Sequence, residues 1–98
     1  MRVIEIRKTT EFAKWIDGLK NFQARARIQA RIERLRLGNP GDVKPVGQGG
    51  LELRIDTGPG YRVYFIQRGQ LLIVLLAGGD KSLQESDIKT ALKLAENL

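Results

Sequence analysis

Apolar residues recur either in alternation or at helical spacing along nearly the whole chain. Val3 to Arg7 alternates and carries β-branched residues, which predicts a short strand. Thr9 or Thr10 can cap a following helix, with Glu11 in its first turn. Phe12, Trp15, Ile16 and Leu19 then fall at i, i+3, i+4 and i+7, an apolar stripe that Gly18 weakens at its end. Trp15 lies on that stripe and is read as core. Asn21 is the expected cap of a second, longer helix with Ala24, Ile28, Ile32 and Leu35 as its buried seam. Gly38 followed by Asn39-Pro40-Gly41 ends it. Two helices joined by so short a segment are expected to form an antiparallel hairpin.

The second half changes period. Asp42 to Gly50 reads as a loop. Three strands are expected at Leu51–Asp56, Tyr61–Gln67 and Leu71–Ala77, with Arg68-Gly69-Gln70 as the second turn. The last is apolar on both faces, so it should be central and covered on both sides, at least in part. Ser82 followed by Glu85 is a capping-box pattern, opening a terminal helix that runs to about Asn97. Ile88, Ala91, Leu92 and Ala95 give that helix one apolar face. The order β-α-α-β-β-β-α predicts a single α+β domain over residues 1–98, with a twisted, mainly antiparallel sheet.

The register of the first hairpin follows from its pattern. Leu51, Leu53 and Ile55 must share a face with Tyr61, Val63 and Phe65, because a one-residue slip would turn one set outward. A loop at Thr57-Gly58-Pro59, with a glycine at positive φ, satisfies this. Arg54 then stands opposite Arg62, and Glu52 opposite Tyr64, on what is expected to be an open face. Two arginines directly opposite repel by a few tenths of a kcal/mol or more. Either Glu52 and Asp56 neutralise them diagonally, or a phosphate fills the gap. Arginine suits the second task, since its planar fork holds two oxygens of one phosphate. Lys81 follows Gly78-Gly79-Asp80, where glycines permit close backbone approach and a helix start favours an anion.

Composition narrows the chemistry. There is no Cys and no His among the 98 residues. That removes disulfides, thiolate nucleophiles, the usual general base and the commonest metal ligands. No metal site and no cofactor are expected. The net charge is +6 and the pI about 10.1. Between Lys20 and Leu37 sit Lys20, Arg25, Arg27, Arg31, Arg34 and Arg36 against Glu33 alone. That balance points to nucleic acid or an acidic protein partner. The N-terminal stretch Met1 to Arg7 lacks the apolar run of a signal peptide, and Leu71 to Ala77 is too short to span a bilayer. A cytoplasmic protein without a membrane partner is the expectation.

The whole chain resembles the RelE/ParE-type toxins of bacterial type II toxin–antitoxin modules, and more narrowly the HigB-like addiction module killer proteins. The resemblance is carried by Arg7-Lys8-Thr9-Thr10-Glu11-Phe12 with Trp15, by Gly38-Asn39-Pro40-Gly41-Asp42-Val43-Lys44, by Glu52-Leu53-Arg54-Ile55, by Gly58-Pro59-Gly60-Tyr61-Arg62-Val63-Tyr64-Phe65, and by Gly78-Gly79-Asp80-Lys81. It implies a RelE-like fold and a metal-independent, ribosome-dependent mRNA endonuclease that inhibits translation. It further implies an antitoxin from the same operon, in this group a small helix-turn-helix protein. By position, Arg62 matches the family's main phosphate-binding arginine, Arg54 and Lys81 match basic positions on the flanking strands, and Lys44 matches more loosely. Arg62, Arg54, Lys81 and Tyr64 are thus the catalytic candidates. Lys44, Arg25, Arg27, Arg31 and Arg34 are the candidates for holding RNA. The family's Tyr or His near the start of the last helix is absent from Ser82 to Lys93, which leaves Tyr64, Glu52 or Asp87 for proton transfer. A ParE-like gyrase poison and a non-catalytic nucleic-acid-binding relative remain the alternative readings.

Overall fold

The computed structural model describes residues 3–98; the first two positions of the N-terminal stretch discussed above lie outside the described residues. The chain forms β1 (Glu5–Lys8), α1 (Thr10–Asp17), α2 (Phe22–Arg36), β2 (Val43–Gly47), β3 (Gly50–Ile55), β4 (Tyr61–Arg68), β5 (Leu72–Asp80), a 3₁₀ turn (Lys81–Leu83) and α3 (Gln84–Glu96). The five strands lie in the order β1-β5-β4-β3-β2. β1 runs parallel to β5, and every other pair is antiparallel.

The helix starts follow local chemistry. The Thr9 hydroxyl accepts from Phe12 N at 3.1 Å and donates to Leu76 O at 2.6 Å, so one residue caps α1 and ties it to β5. Asn21 caps α2 by accepting from Ala24 N at 3.1 Å. Gly38, at φ 87°, turns the chain out of α2 as Asn39 N donates to Arg34 O.

The helices occupy both faces of the sheet. On one face, Phe12 and Ile16 of α1 and Ala24, Ile28, Ile32 and Leu35 of α2 pack on Leu53, Ile55, Tyr61, Val63, Phe65, Ile73 and Leu75. On the other, Ile88, Ala91, Leu94 and Ala95 of α3 cover Tyr64, Ile66, Val74, Leu76 and Ala77. β5 serves both cores, which is why its apolar run has no polar alternation. A bulge at Leu76 lets Leu76 and Ala77 both face α3.

Two expectations are corrected. Asp42 to Gly50 is not all loop: Val43–Gly47 is an edge strand, with Val43 opposite Leu53 and Lys44 opposite Glu52. Its tight turn needs positive φ at Gly47, Gln48 and Gly49. The terminal helix is not opened by Ser82. Asp80 takes that role, accepting from Ser82 N at 2.8 Å and from the Ser82 hydroxyl at 2.5 Å, and α3 itself begins without a side-chain cap.

Candidate functional site

The hairpin register is the expected one: Arg54 pairs with Arg62, and Glu52 with Tyr64. The β3–β4 turn uses Gly58 at φ 54° and Gly60 at φ 84°, and Gly60 N donates to Thr57 O. Around this turn lies a cleft of about 320 Å³ whose walls include Arg54, Arg62, Lys81 and Asp56. Three cations from β3, β4 and the 3₁₀ turn therefore face one cavity. The β4–β5 ladder brings them together by pairing Arg62 with Gly79 and Tyr61 with Asp80, two residues and one residue before Lys81.

The arginines are held differently. Arg54 Nε lies 3.4 Å from Asp42 Oδ2, and both side chains are well exposed. Arg62 is mostly buried, with its side chain 13% exposed, and its Nε lies 3.7 Å from Glu52 Oε1. Arg62 Nη1 donates to Tyr61 O at a long 3.4 Å. Repulsion between the opposed arginines is thus offset by one carboxylate each, Asp42 outside and Glu52 inside.

The expectation of an open face fails at Glu52 and Tyr64. Both are 1% exposed, since α3 lies across them. Glu52 Oε2 accepts from Gln84 Nε2 at 2.7 Å. The Tyr64 hydroxyl is buried and makes no hydrogen bond among the described residues. Burial first, and then the Glu52 and Asp87 carboxylates, push its pKa well above the ordinary phenol value. Tyr64 stays protonated and lies outside the cleft. Asp87 is half-buried on the first turn of α3, and its Oδ2 is buried without a hydrogen-bond partner among the described residues. Burial, followed by the charge of Asp80, raises its pKa above the usual aspartate value.

The Gly78-Gly79 pair explains how these layers approach. A Cβ on Gly78 would sit 2.2 Å from the Trp15 ring, and one on Gly79 1.9 Å from Asp87 Oδ2. Neither glycine is at positive φ. Each lacks a side chain because a group from the helix on its own side fills the space. Trp15, half-buried, packs between Phe12 and Tyr61 with ring centroids 5.8 and 6.3 Å away.

The basic residues of α2 divide between two flanks. Arg27, Arg31 and Arg34 line a second cleft, of about 330 Å³, with Ile55 and Asp56. Asp56 belongs to both clefts, so the two are contiguous around the end of β3. Within this set Arg31 is committed to the fold: it donates to Arg54 O at 2.6 Å and to Pro40 O at 3.0 Å. Burial and the charge of Arg34 lower its pKa. Arg25 sits apart, 5.9 Å over the exposed Phe22 ring. Lys44 is exposed on edge strand β2. Sequence reasoning missed Gln84 altogether, and no pattern in the chain marked it as the partner of Glu52. Among the described residues, no group of three His, Cys, Asp or Glu side chains is placed to hold a metal ion, and no helix is long and apolar enough to cross a membrane.

A five-stranded mixed sheet with helices on both faces and a cationic cleft at its turn end has the RelE-like fold. The structure of the Escherichia coli toxin RelE in the free state, as a double arginine-to-alanine mutant, superposes with a TM-score of 0.71 at 14% identity, covering 95% of this chain and 96% of that one. No protein-family model matches the sequence. The chain belongs to the same family as an uncharacterised protein of Haemophilus influenzae, to which it is 53% identical over 95 residues, 97% of this chain and 96% of the relative.

Proposed function

We propose that this protein is the toxin of a type II toxin–antitoxin module, of the HigB-like group, and that it cuts mRNA on the ribosome. The convergence of Arg54, Arg62 and Lys81 on one cleft carries this reading. The RelE-like fold supports it. An RNA 2′-oxygen attacks the adjacent phosphorus and the bond to the 5′-oxygen breaks, leaving a 2′,3′-cyclic phosphate and a 5′-hydroxyl. The nucleophile belongs to the substrate, so the step needs no metal. Arg62 and Arg54 stabilise charge on the phosphoryl oxygens, and Lys81 neutralises the leaving 5′-oxygen by giving it a proton. Asp87, packed over Gly79, the ladder partner of Arg62, takes the proton from the 2′-hydroxyl once its carboxylate turns from beneath α3 toward the cleft. Tyr64, kept protonated, supports the site from beneath α3. Arg27 and Arg34 hold flanking RNA through its phosphates, with Arg25 and Lys44 as outlying contacts. A +6 chain fits an acidic partner, and a small helix-turn-helix antitoxin is the expected one.

The test is growth after induced expression of wild type and Arg62→Ala, with 5′-end mapping of cellular mRNA. Arrest with new 5′-hydroxyl ends in translated regions, both lost in the variant, is the expected result. Arrest with intact mRNA and damaged DNA would overturn it in favour of a gyrase poison.

A further inference from the structure

Glu52 is the one charged side chain among the described residues that is fully buried, at 1% exposed. Burying a carboxylate is unfavourable unless it is paired and hydrogen-bonded. Glu52 has both partners, and they come from different elements. Its Oε1 lies 3.7 Å from Arg62 Nε on β4, and its Oε2 accepts from Gln84 Nε2 at 2.7 Å from the first turn of α3.

The distances are unequal in a useful direction. A carboxylate and a guanidinium left to themselves close into a bidentate pair near 2.8 Å, which occupies two of the guanidinium's donors. Here Gln84 holds the second oxygen back, and the first stays beyond hydrogen-bond reach of Nε. The Nη1 bond to Tyr61 O is also long, at 3.4 Å. Arg62 is therefore oriented by charge from below while its outer donors stay free for an oxyanion in the cleft.

We infer that Glu52, held by Gln84, is a positioning residue that aims the Arg62 guanidinium into the cleft. This deepens the nuclease reading and rests on it. Glu52 does not line the cleft, and its role is to place Arg62 rather than to meet the substrate.

The test compares the full-length wild type with Gln84→Met, with the exchange variant Glu52→Gln/Gln84→Glu, and with Arg62→Ala. Each is melted, titrated with inorganic phosphate while the Arg62 Nε–Hε resonance is followed by NMR, and assayed for new 5′-hydroxyl ends in a translating extract. The exchange variant keeps an amide–carboxylate hydrogen bond between positions 52 and 84 but moves the charge away from Arg62. It is expected to melt near wild type, yet to bind phosphate and cleave at least ~10-fold less well, the fall expected when one preorganised cation is misplaced. Gln84→Met is expected to fold, to shift the Nε–Hε resonance as the pair closes, and to lose phosphate affinity in the same direction. Wild-type phosphate binding in both folded variants would overturn the positioning role. If the exchange variant does not fold, Gln84→Met decides alone by the same criterion. Wild-type cleavage by Arg62→Ala would instead overturn the nuclease reading, and the phosphate titration would still decide the positioning role.

Discussion

Gly78→Ala tests how closely α1 is pressed against the sheet. In an open strand this substitution should stabilise the fold by about 0.5–1 kcal/mol, because alanine loses less backbone entropy than glycine. Here the new Cβ would stand 2.2, 2.3 and 2.7 Å from three atoms of the Trp15 ring. An ordinary carbon–carbon contact is ~3.5 Å or more, so the indole must move by over ~1 Å. It cannot swing freely, since Phe12 and Tyr61 stand against it at 5.8 and 6.3 Å between ring centroids. Overpacking of this kind costs about 1–3 kcal/mol. For a domain of this size each kcal/mol corresponds to about 4–8 °C in Tm. A double-mutant cycle isolates the cause: Gly78→Ala is measured by urea and thermal unfolding in wild type and in a Trp15→Ala background. The expected result is a loss in the first and a neutral or small gain in the second, a coupling of at least ~1 kcal/mol. A neutral or stabilising Gly78→Ala in wild type, or the same cost in both backgrounds, would refute the argument that Trp15 dictates the glycine.

Two further outcomes follow from the site. Asp87 has its folded pKa raised above the ordinary value of about 3.9. As pH rises from the unfolded value to the folded one, the folded state holds more protons than the unfolded, so stability falls across that window and stays lower above it. Asp87→Asn cannot ionise, so its Tm relative to wild type is expected to be more favourable at pH 7 than at pH 3, and an equal difference at both would refute the burial penalty. Among the arginines of α2, Arg31→Ala is expected to destabilise by about 1 kcal/mol or more, because the part-buried Arg54 carbonyl and the exposed Pro40 carbonyl lose a charged donor. Arg27→Ala and Arg34→Ala should stay within ~0.5 kcal/mol in the same unfolding assay; equal effects at all three positions would contradict the separate role of Arg31.

What the sequence made legible was local. Thr9 and Asn21 cap as their side chains require, and the hairpin register follows from matching two apolar alternations. β2 was not legible, because Val43-Lys44-Pro45-Val46 is short and holds a proline, and such a segment becomes a strand only at a sheet edge with a partner already in place. Alternation places Glu52 and Tyr64 on the face away from α1 and α2, but it does not say whether that face is covered. The hint lay in β5, whose apolar residues on both faces demanded a cover on each side. α3 provides the second one, and it crosses β4 near enough to bury Tyr64.

The same crossing separates the two arginines by kind. Arg54 is 40% exposed and its partner Asp42 57%, and such a surface pair contributes at most about 1 kcal/mol. Arg54 can leave Asp42 at little cost, as the proposed phosphate contact requires. Arg62 faces a carboxylate that α3 and Gln84 fix in place, so its position is set before any ligand arrives. The opposed pair that looked unfavourable in the sequence therefore combines one movable and one preset cation on adjacent strands. The preset one gives the cleft its geometry, and on the proposed nuclease reading the movable one, with exposed Lys81, would supply charge that can follow a phosphate as it passes into its transition state.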